Sequence, residues 1–485
     1  MKNTSKTRSE LPPTILTIFG ATGDLSADYL IPALLQMLEH KILPKNFKLV
    51  AVGRRPLNTK TYLDFILKKS KVLKKLSPAK KSQFLKHLIY YQGDFENADS
   101  FKGLAKILED HDRPTHMCYN RLFYFATSPE QYSAITQILK SAGLLMSCTS
   151  HGRQARVLVE KPFGSDLKSA KQLNALLLKD FSEPQIYRID HYVGKETVQN
   201  LMVVRFANSM FEPLWNSRHI DHVEISVLEK DGAKDRVAFY DHAGAIKDFL
   251  QNHILQMLAL ILMEEPKEMT SEYIRDEKLK ILQALRPLTP VTLKDSFIKG
   301  QYQGYQKEAG GNSSTETYFA LKAFVDLPRW QEVPIYLRTG KKLSKKLTQI
   351  SVHFKEPARC VFQGCAANVL TFQIQPDESV RLQINNKVPG FGIKLQQADL
   401  DFNYKMEFKG EIPAAYERLL LDFMEGDQRL FIRSDEIEAA WKYVDSITLN
   451  PEFKTLPLSI YKPGSNGPKE ADDFIKKDLR EWHTK

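Results

Sequence analysis

The segment Thr14-Ile15-Leu16-Thr17-Ile18-Phe19 constrains the fold of this 485-residue chain more than any other. It is short, apolar and β-branched, the pattern of a strand buried on both faces. Gly20-Ala21-Thr22-Gly23-Asp24 follows as a tight turn. Tyr29 to His40 then places Leu30, Ala33, Leu34, Met37 and Leu38 at helical period, with Pro32 in an early turn where its missing N–H is tolerated. Strand, glycine turn and helix in that order predict the opening of a parallel βαβ sheet. Phe47 to Val52, Leu88 to Tyr91, Arg121 to Ala126 and Ala155 to Glu160 read as further strands between helical stretches. Residues 13–190 are therefore expected to form a doubly wound α/β domain of Rossmann type, after a flexible tail at 1–12.

Beyond about His191 the texture changes. A buried helix from Asp248 to Met263 is followed by strand-like runs at Val333 to Arg338, Thr348 to Phe354, Val369 to Gln375 and Val380 to Asn385. Neighbouring strands predict a larger α+β domain over 191–485 with an extended, mostly antiparallel sheet. Two domains also suit the length, and a cleft between domains is a favoured place for a site. The longest apolar run, Ile254 to Met263, is interrupted by Gln256 and is far short of the ~20 residues of a bilayer span. No membrane segment or signal peptide is expected. Cys118, Cys148, Cys360 and Cys365 show no ligand spacing, so reduced thiols in a cytoplasmic protein are expected.

The net charge of +11 suits either nucleic acid or phosphorylated small molecules. Much of the excess lies in Lys68, Lys69, Lys71, Lys74 and Lys75, followed by Lys80 and Lys81. Phe65, Ile66, Val72, Leu73 and Leu76 fall between them at helical spacing, which predicts a solvated helix face. No zinc spacing, RNP-type motif or arginine-rich arm supports a nucleic-acid partner.

Three stretches carry chemistry. Gly20, Ala21, Thr22, Gly23, Asp24 and Leu25 form half of a dinucleotide fingerprint, which a plain strand–helix turn could also show. The second strand ends in Arg54-Arg55 rather than an acid; arginine there accommodates a 2′-phosphate and points to NADP over NAD. The nonapeptide from Arg188 to Glu196, RIDHYVGKE, packs acids, cations, a His and a Tyr together, which suits gripping an anion. Glu160-Lys161-Pro162-Phe163-Gly164 closes an apolar strand. Gln251-Asn252-His253 lies on the buried helix, where a lone His is more often a core residue than a catalyst. No metal-ligand cluster is visible, and no metal is expected.

Together these motifs closely resemble those of the glucose-6-phosphate dehydrogenase family, from about Ile15 to the C-terminus. The resemblance implies oxidation of D-glucose 6-phosphate to 6-phospho-D-glucono-1,5-lactone with hydride transfer to NADP, the entry to the oxidative pentose phosphate pathway. It implies that Thr22 and Arg54 contact the cofactor phosphate, and that Lys161 contacts both substrate and the nicotinamide side. His191, Tyr192 and Lys195 would bind the substrate phosphate, joined by Lys341 and more loosely by Lys346 and Gln375. Glu229 and Asp248 would accept hydrogen bonds from sugar hydroxyls, as acceptor-only carboxylates can. His253 would be the general base and Asp190 its partner, by the logic of an Asp–His pair. A cytoplasmic homodimer or homotetramer, built mainly from the second domain's sheet, is also implied.

Two departures stand out. The family's turn usually runs on as GDLAxRKL, whereas this chain has Ser26-Ala27-Asp28-Tyr29 without the cations. Gln373, Gln383 and Val388 stand where some members hold a second, structural NADP, which is therefore expected to be absent. The Glu-Lys-Pro turn is also similar to that of the glucose–fructose oxidoreductase group, so a dehydrogenase of a non-phosphorylated sugar is the alternative. A phosphate cage has no purpose there. A silent NADP-binding sensor would have lost His253 and Asp190, and both are present.

Overall fold

The computed structural model describes residues 11–73, 76–95, 97–112, 119–145, 155–408 and 412–484. Most of the N-terminal tail, Lys74, Lys75, Cys118 and Cys148 lie outside these residues. The chain forms two compact units. The first runs to Gly164 and adds Lys168–Gly194 and Pro413–Ser434; the second comprises Ser165–Leu167, Lys195–Ile412 and Asp435–Lys485. The sequence expectation divides the chain once, near residue 190. The structure instead returns the segment Pro413–Ser434 to the first unit, because Phe431 and Ile432 supply a strand to its sheet.

In the first unit, β1 (Thr14–Phe19), β2 (Phe47–Gly53), β3 (Leu88–Gln92), β4 (Asn120–Phe125), β5 (Ala155–Val159) and β6 (Ile186–Ile189) lie in the order β3-β2-β1-β4-β5-β6. All of these pairs are parallel. The order reverses at β1, the point where a doubly wound sheet opens its ligand crevice. The two-residue strand β15 (Phe431–Ile432) adds to β6 antiparallel and covers that edge. β1 is buried along its whole length, as its unbroken apolar run requires.

The second unit is a nine-stranded sheet. Its strands are β7 (Ile220–Leu228), β8 (Phe297–Tyr302), β9 (Tyr318–Ala323), β10 (Ile335–Gly340), β11 (Leu347–Phe354), β12 (Val369–Gln375), β13 (Ser379–Lys387), β14 (Leu395–Asn403) and β16 (Leu458–Tyr461). They lie in the order β14-β13-β12-β11-β7-β10-β9-β8-β16. Only β7–β10 and β8–β16 are parallel, so the sheet is mostly antiparallel, as expected. The helix Leu255–Leu262 is buried at every position, which its apolar run anticipates.

Two local expectations change. The lysine-rich stretch is not one helix: among its described residues, Lys68 and Lys69 close the helix Thr59–Lys69, Ser70 is extended, Val72 is exposed, and Lys80 and Lys81 lie on a separate helix, Pro78–Leu85. Cys360 and Cys365 are joined by a disulfide rather than free. The loop between β11 and β12 brings their Cα atoms to 5.9 Å, within ordinary bridging distance. Among the described residues no helix is long and apolar enough to cross a membrane.

Candidate active site

The glycine turn sits at the carboxyl end of β1. Gly20 has φ +84°, and a Cβ there would lie 2.4 Å from the carbonyl oxygen of Ala126. Only glycine fits this position without strain. The Gly20 and Ala21 amides donate to Val52 O at 3.2 and 3.0 Å, and Gly23 N–H donates back to Gly20 O at 3.0 Å. This tight cradle feeds directly into a helical stretch that starts as a π-wound segment, Ser26–Leu30, and continues as the α-helix Ile31–Glu39. Its bare backbone and its helix N-terminus fit a dinucleotide pyrophosphate. Arg54 and Arg55 lie exposed just past β2, with Arg55 held over the Phe65 ring at 4.9 Å. Arg54 is left at the strand end, where a 2′-phosphate would lie.

A cation that sequence spacing missed reaches this turn. Lys69, the last residue of its helix, donates through Nζ to Thr22 O at 3.0 Å and pairs with Asp24 Oδ1 at 3.0 Å. It brings positive charge to a turn whose own sequence lacks the family's cations. The signal available was the lysine run, whose helical register gave no hint of a tertiary partner.

Glu160 and Lys161 follow β5 in the same unit. The Glu160 carboxylate accepts from Tyr124 OH at 2.5 Å and Tyr416 OH at 3.2 Å. Burial raises its pKa from the ordinary carboxylate value, against the two tyrosine hydrogen bonds and the Lys161 charge. Lys161 is half-buried beside it. Asp190 is 1% exposed, and its Oδ1 accepts the Tyr192 N–H at 2.9 Å. His191 lies with its ring 4.9 Å from that of Tyr192 and parallel to that of Tyr416 at 6.4 Å. Arg188 of the same nonapeptide does something else: it is buried and pairs with Glu183 at 2.6 Å, bracing β6.

In the second unit, strand register gathers the predicted residues at one end of the sheet. Leu228, the last residue of β7, pairs with Gly340 at the end of β10 and with Leu347 at the start of β11. Glu229, Lys341 and Lys346 are the residues just outside those pairs. Thr348 of β11 faces Gln375, the last residue of β12. Lys341 Nζ lies 2.5 Å from Glu229 Oε2, over the rings of Tyr240 at 4.8 Å and Phe249 at 5.3 Å. Lys195 Nζ donates to Gln375 Oε1 at 2.8 Å, and Gln375 Nε2 donates to Thr348 Oγ1 at 2.8 Å. Lys346 is exposed, and its charge, like that of Lys341, adds to the hydrogen bond from Lys234 that holds the Asp231 carboxyl below its usual range.

Asp248 and His253 stand on a helix wound as a π-helix over Ile246–Ile254. Such windings are rare and recur at functional sites. With i→i+5 hydrogen bonding, residues five apart align more closely than in an α-helix, which suits Asp248 and His253. Both are buried, at 5% and 1% exposure. The His253 ring meets the edge of Phe249 at 5.9 Å. Where the helix begins, Gly244 takes φ +65°, and a Cβ there would lie 2.1 Å from Glu316 Oε1. The same oxygen accepts the Ile246 N–H at 3.2 Å. Burial raises the Glu316 pKa to about 7, opposed by backbone hydrogen bonds. The sequence predicted a plain buried helix here; the π winding and its Glu316 anchor leave no periodicity signal.

The sequence matches two family models, the NAD binding domain of glucose-6-phosphate dehydrogenase over residues 17–200 and the C-terminal domain of the same enzyme over 202–483. The glucose-6-phosphate 1-dehydrogenase of Treponema pallidum (strain Nichols) is 41% identical, covering 97% of this chain and 95% of its own. That of Borreliella burgdorferi is also 41% identical, covering 96% and 97%. Among solved structures, a glucose-6-phosphate dehydrogenase in complex with its substrate glucose-6-phosphate superposes with a TM-score of 0.89 at 32% identity, covering 98% of this chain and 99% of that one. The glucose-6-phosphate 1-dehydrogenase from Mycobacterium avium gives 0.84 at 32% identity with the same coverage.

Proposed function

This chain belongs to the glucose-6-phosphate dehydrogenase family, and from that premise we propose which of its residues perform the oxidation. The chain is an NADP-dependent oxidoreductase that converts D-glucose 6-phosphate to 6-phospho-D-glucono-1,5-lactone. Full-length kinship carries this reading. The gathering of Lys195, Gln375, Glu229 and Lys341 at one sheet end supports the assignment of the substrate groups. We assign cofactor binding to the first unit and most of the substrate contacts to the second.

NADP, when bound, supplies the hydride acceptor at its nicotinamide. The turn Gly20, Ala21, Thr22, Gly23, Asp24 and Leu25 holds the pyrophosphate, Arg54 the 2′-phosphate, and Lys69 adds charge to the turn. Lys161 spans the nicotinamide side and the sugar. His191, Tyr192, Lys195 and Lys341 grip the phosphate of the substrate, with Lys346 and Gln375 beside them. Glu229 and Asp248 accept hydrogen bonds from ring hydroxyls. The C1 hydroxyl is a weak acid and must lose its proton as hydride leaves C1. His253 takes that proton, and Asp190 orients the imidazole and stabilises the imidazolium. A phosphate grip of this kind also disfavours the non-phosphorylated sugar as substrate.

We further propose a cytoplasmic homodimer or homotetramer and one NADP per chain. Calorimetry that found two moles of NADP per chain would refute the latter. The central test is absorbance in the NAD(P)H band with glucose 6-phosphate or free glucose, each with NADP or NAD. Rapid reduction of NADP by glucose 6-phosphate alone is expected. Comparable turnover of free glucose would remove the phosphate roles of His191, Tyr192, Lys195 and Lys341.

A further inference from the structure

Lys341 stands at the sugar end of the second unit with its backbone pinned and its charged head enclosed. Its N–H donates to Thr317 O at 3.0 Å, and its carbonyl accepts the Tyr461 hydroxyl at 2.7 Å. Those bonds fix the main chain just past β10. They do not fix the four-carbon stem, whose freedom must be removed for the ammonium to sit in one place. Three side chains contribute to that. Glu229 Oε2 lies 2.5 Å from Nζ, the centre of the Tyr240 ring 4.8 Å and the centre of the Phe249 ring 5.3 Å. Both ring distances fall within the ~6 Å over which an aromatic face attracts a cation. The Lys341 side chain is only 10% exposed, and such an attraction strengthens as water is removed.

Tyr240 lies on the helix Val237–Ala245, just before the π-wound segment that carries Asp248, Phe249 and His253. It is buried, and Tyr305 meets its ring edge-on at 6.2 Å. Its hydroxyl makes no hydrogen bond among the described residues. Burial, aided by the charges of Asp248 and Glu316, raises its pKa well above the ordinary tyrosine value, so the group stays a neutral phenol. What Tyr240 offers Lys341 is therefore a ring face, and neither a hydrogen bond nor a counter-charge. The difference matters for an anionic ligand. Glu229 takes one of the three ammonium donors and balances its charge. A second acid in place of the ring would make the site repel a phosphate. A ring steadies the cation without adding negative charge, so the ammonium keeps its attraction for a phosphate.

We propose that Tyr240 is a positioning residue for substrate binding. Its ring face, with Phe249 as a second wall, holds the Lys341 ammonium where the phosphate of glucose 6-phosphate is met. The inference rests on the assignment of Lys341 to that phosphate.

The test is steady-state kinetics with the full-length protein. Tyr240→Leu should raise the KM for glucose 6-phosphate by roughly 3–30-fold, the equivalent of one cation–π contact, with kcat and the KM for NADP little changed. Tyr240→Phe keeps the face and loses only the unbonded hydroxyl, so it should behave as the wild type. Tyr240→Met, nearer the original volume, should match the leucine variant and carries the test should that variant fail to fold. In a Lys341→Met background, Tyr240→Leu should cause no further rise, because the ring then has no cation to hold. An unchanged KM in both non-aromatic variants would overturn the proposal. So would a phenylalanine variant as impaired as the leucine one, or a leucine effect that persists undiminished without Lys341. A Lys341→Met variant with an unchanged KM would show that the phosphate assignment itself had failed, and the inference with it.

Discussion

The proposed cofactor turn of the first unit and the proposed sugar end of the second unit are built in opposite ways. The turn is one contiguous stretch, Gly20 to Leu25, with Arg54 supplied by the neighbouring strand and Lys69 by the helix after it. The sugar end draws Lys195, Glu229, Asp248, His253, Lys341 and Gln375 from distant segments and brings several together only through strand register. The contrast follows from what each must hold. A pyrophosphate is met by backbone N–H groups, which one loop and one helix N-terminus supply. A phosphorylated sugar presents charge and hydroxyls in several directions, and only converging side chains can meet them all.

The largest effect should come from the second region. His253→Asn removes the proposed base and should lower kcat by ~10²–10⁴ with little change in substrate KM, measured by steady-state NADP reduction. Near-normal turnover would move the base elsewhere. Lys195→Ala, which also removes one hydrogen bond to Gln375, should raise the KM for glucose 6-phosphate by roughly 10–100-fold, the loss of one hydrogen bond to a charged group. An effect confined to kcat would contradict a binding role. In the first region the consequence should be smaller and should fall on the cofactor. Arg54→Ala should raise the KM for NADP by about 10-fold and narrow the preference over NAD. If NAD and NADP suffered equally, Arg54 would not be reading the 2′-phosphate.

The smallest effect separates the regions by pH. Burial raises Glu316 from 4.5 to about 7 in the folded chain, so between those values the folded state keeps a proton that the unfolded state has lost. Stability attributable to this group therefore falls as pH rises through that window. Glu316→Gln should flatten the fall of the thermal midpoint between pH ~5 and ~7. An identical slope in the variant would show that Glu316 is not the group responsible.

Much of the first unit was legible because its signals are local. The apolar run of β1, the glycines after it and the helical period beyond are each readable within a few residues, and the parallel sheet follows from their alternation. The strands of the second unit were legible as elements but not in their neighbours. Nothing in the sequence near Gln375 announces Lys195, and nothing near Glu229 announces Lys341. The π winding around His253 was hidden for a different reason: a buried helix of either winding carries a similar residue pattern. The pairing of Cys360 with Cys365 depended on the path of one loop.

By itself the amino-acid sequence determined the class of the two sheets and the family, and it supplied the residues proposed to handle phosphate and proton, because residue type and short-range period are chemical facts of the chain. Only the tertiary structure decided that Pro413–Ser434 rejoins the first sheet, that Lys69 reaches the glycine turn, that Arg188 braces a strand, and that His222, Glu224 and His353 converge. Those outcomes rest on strand order and register, which are settled by burial and pairing summed over whole sheets rather than by any local run of residues.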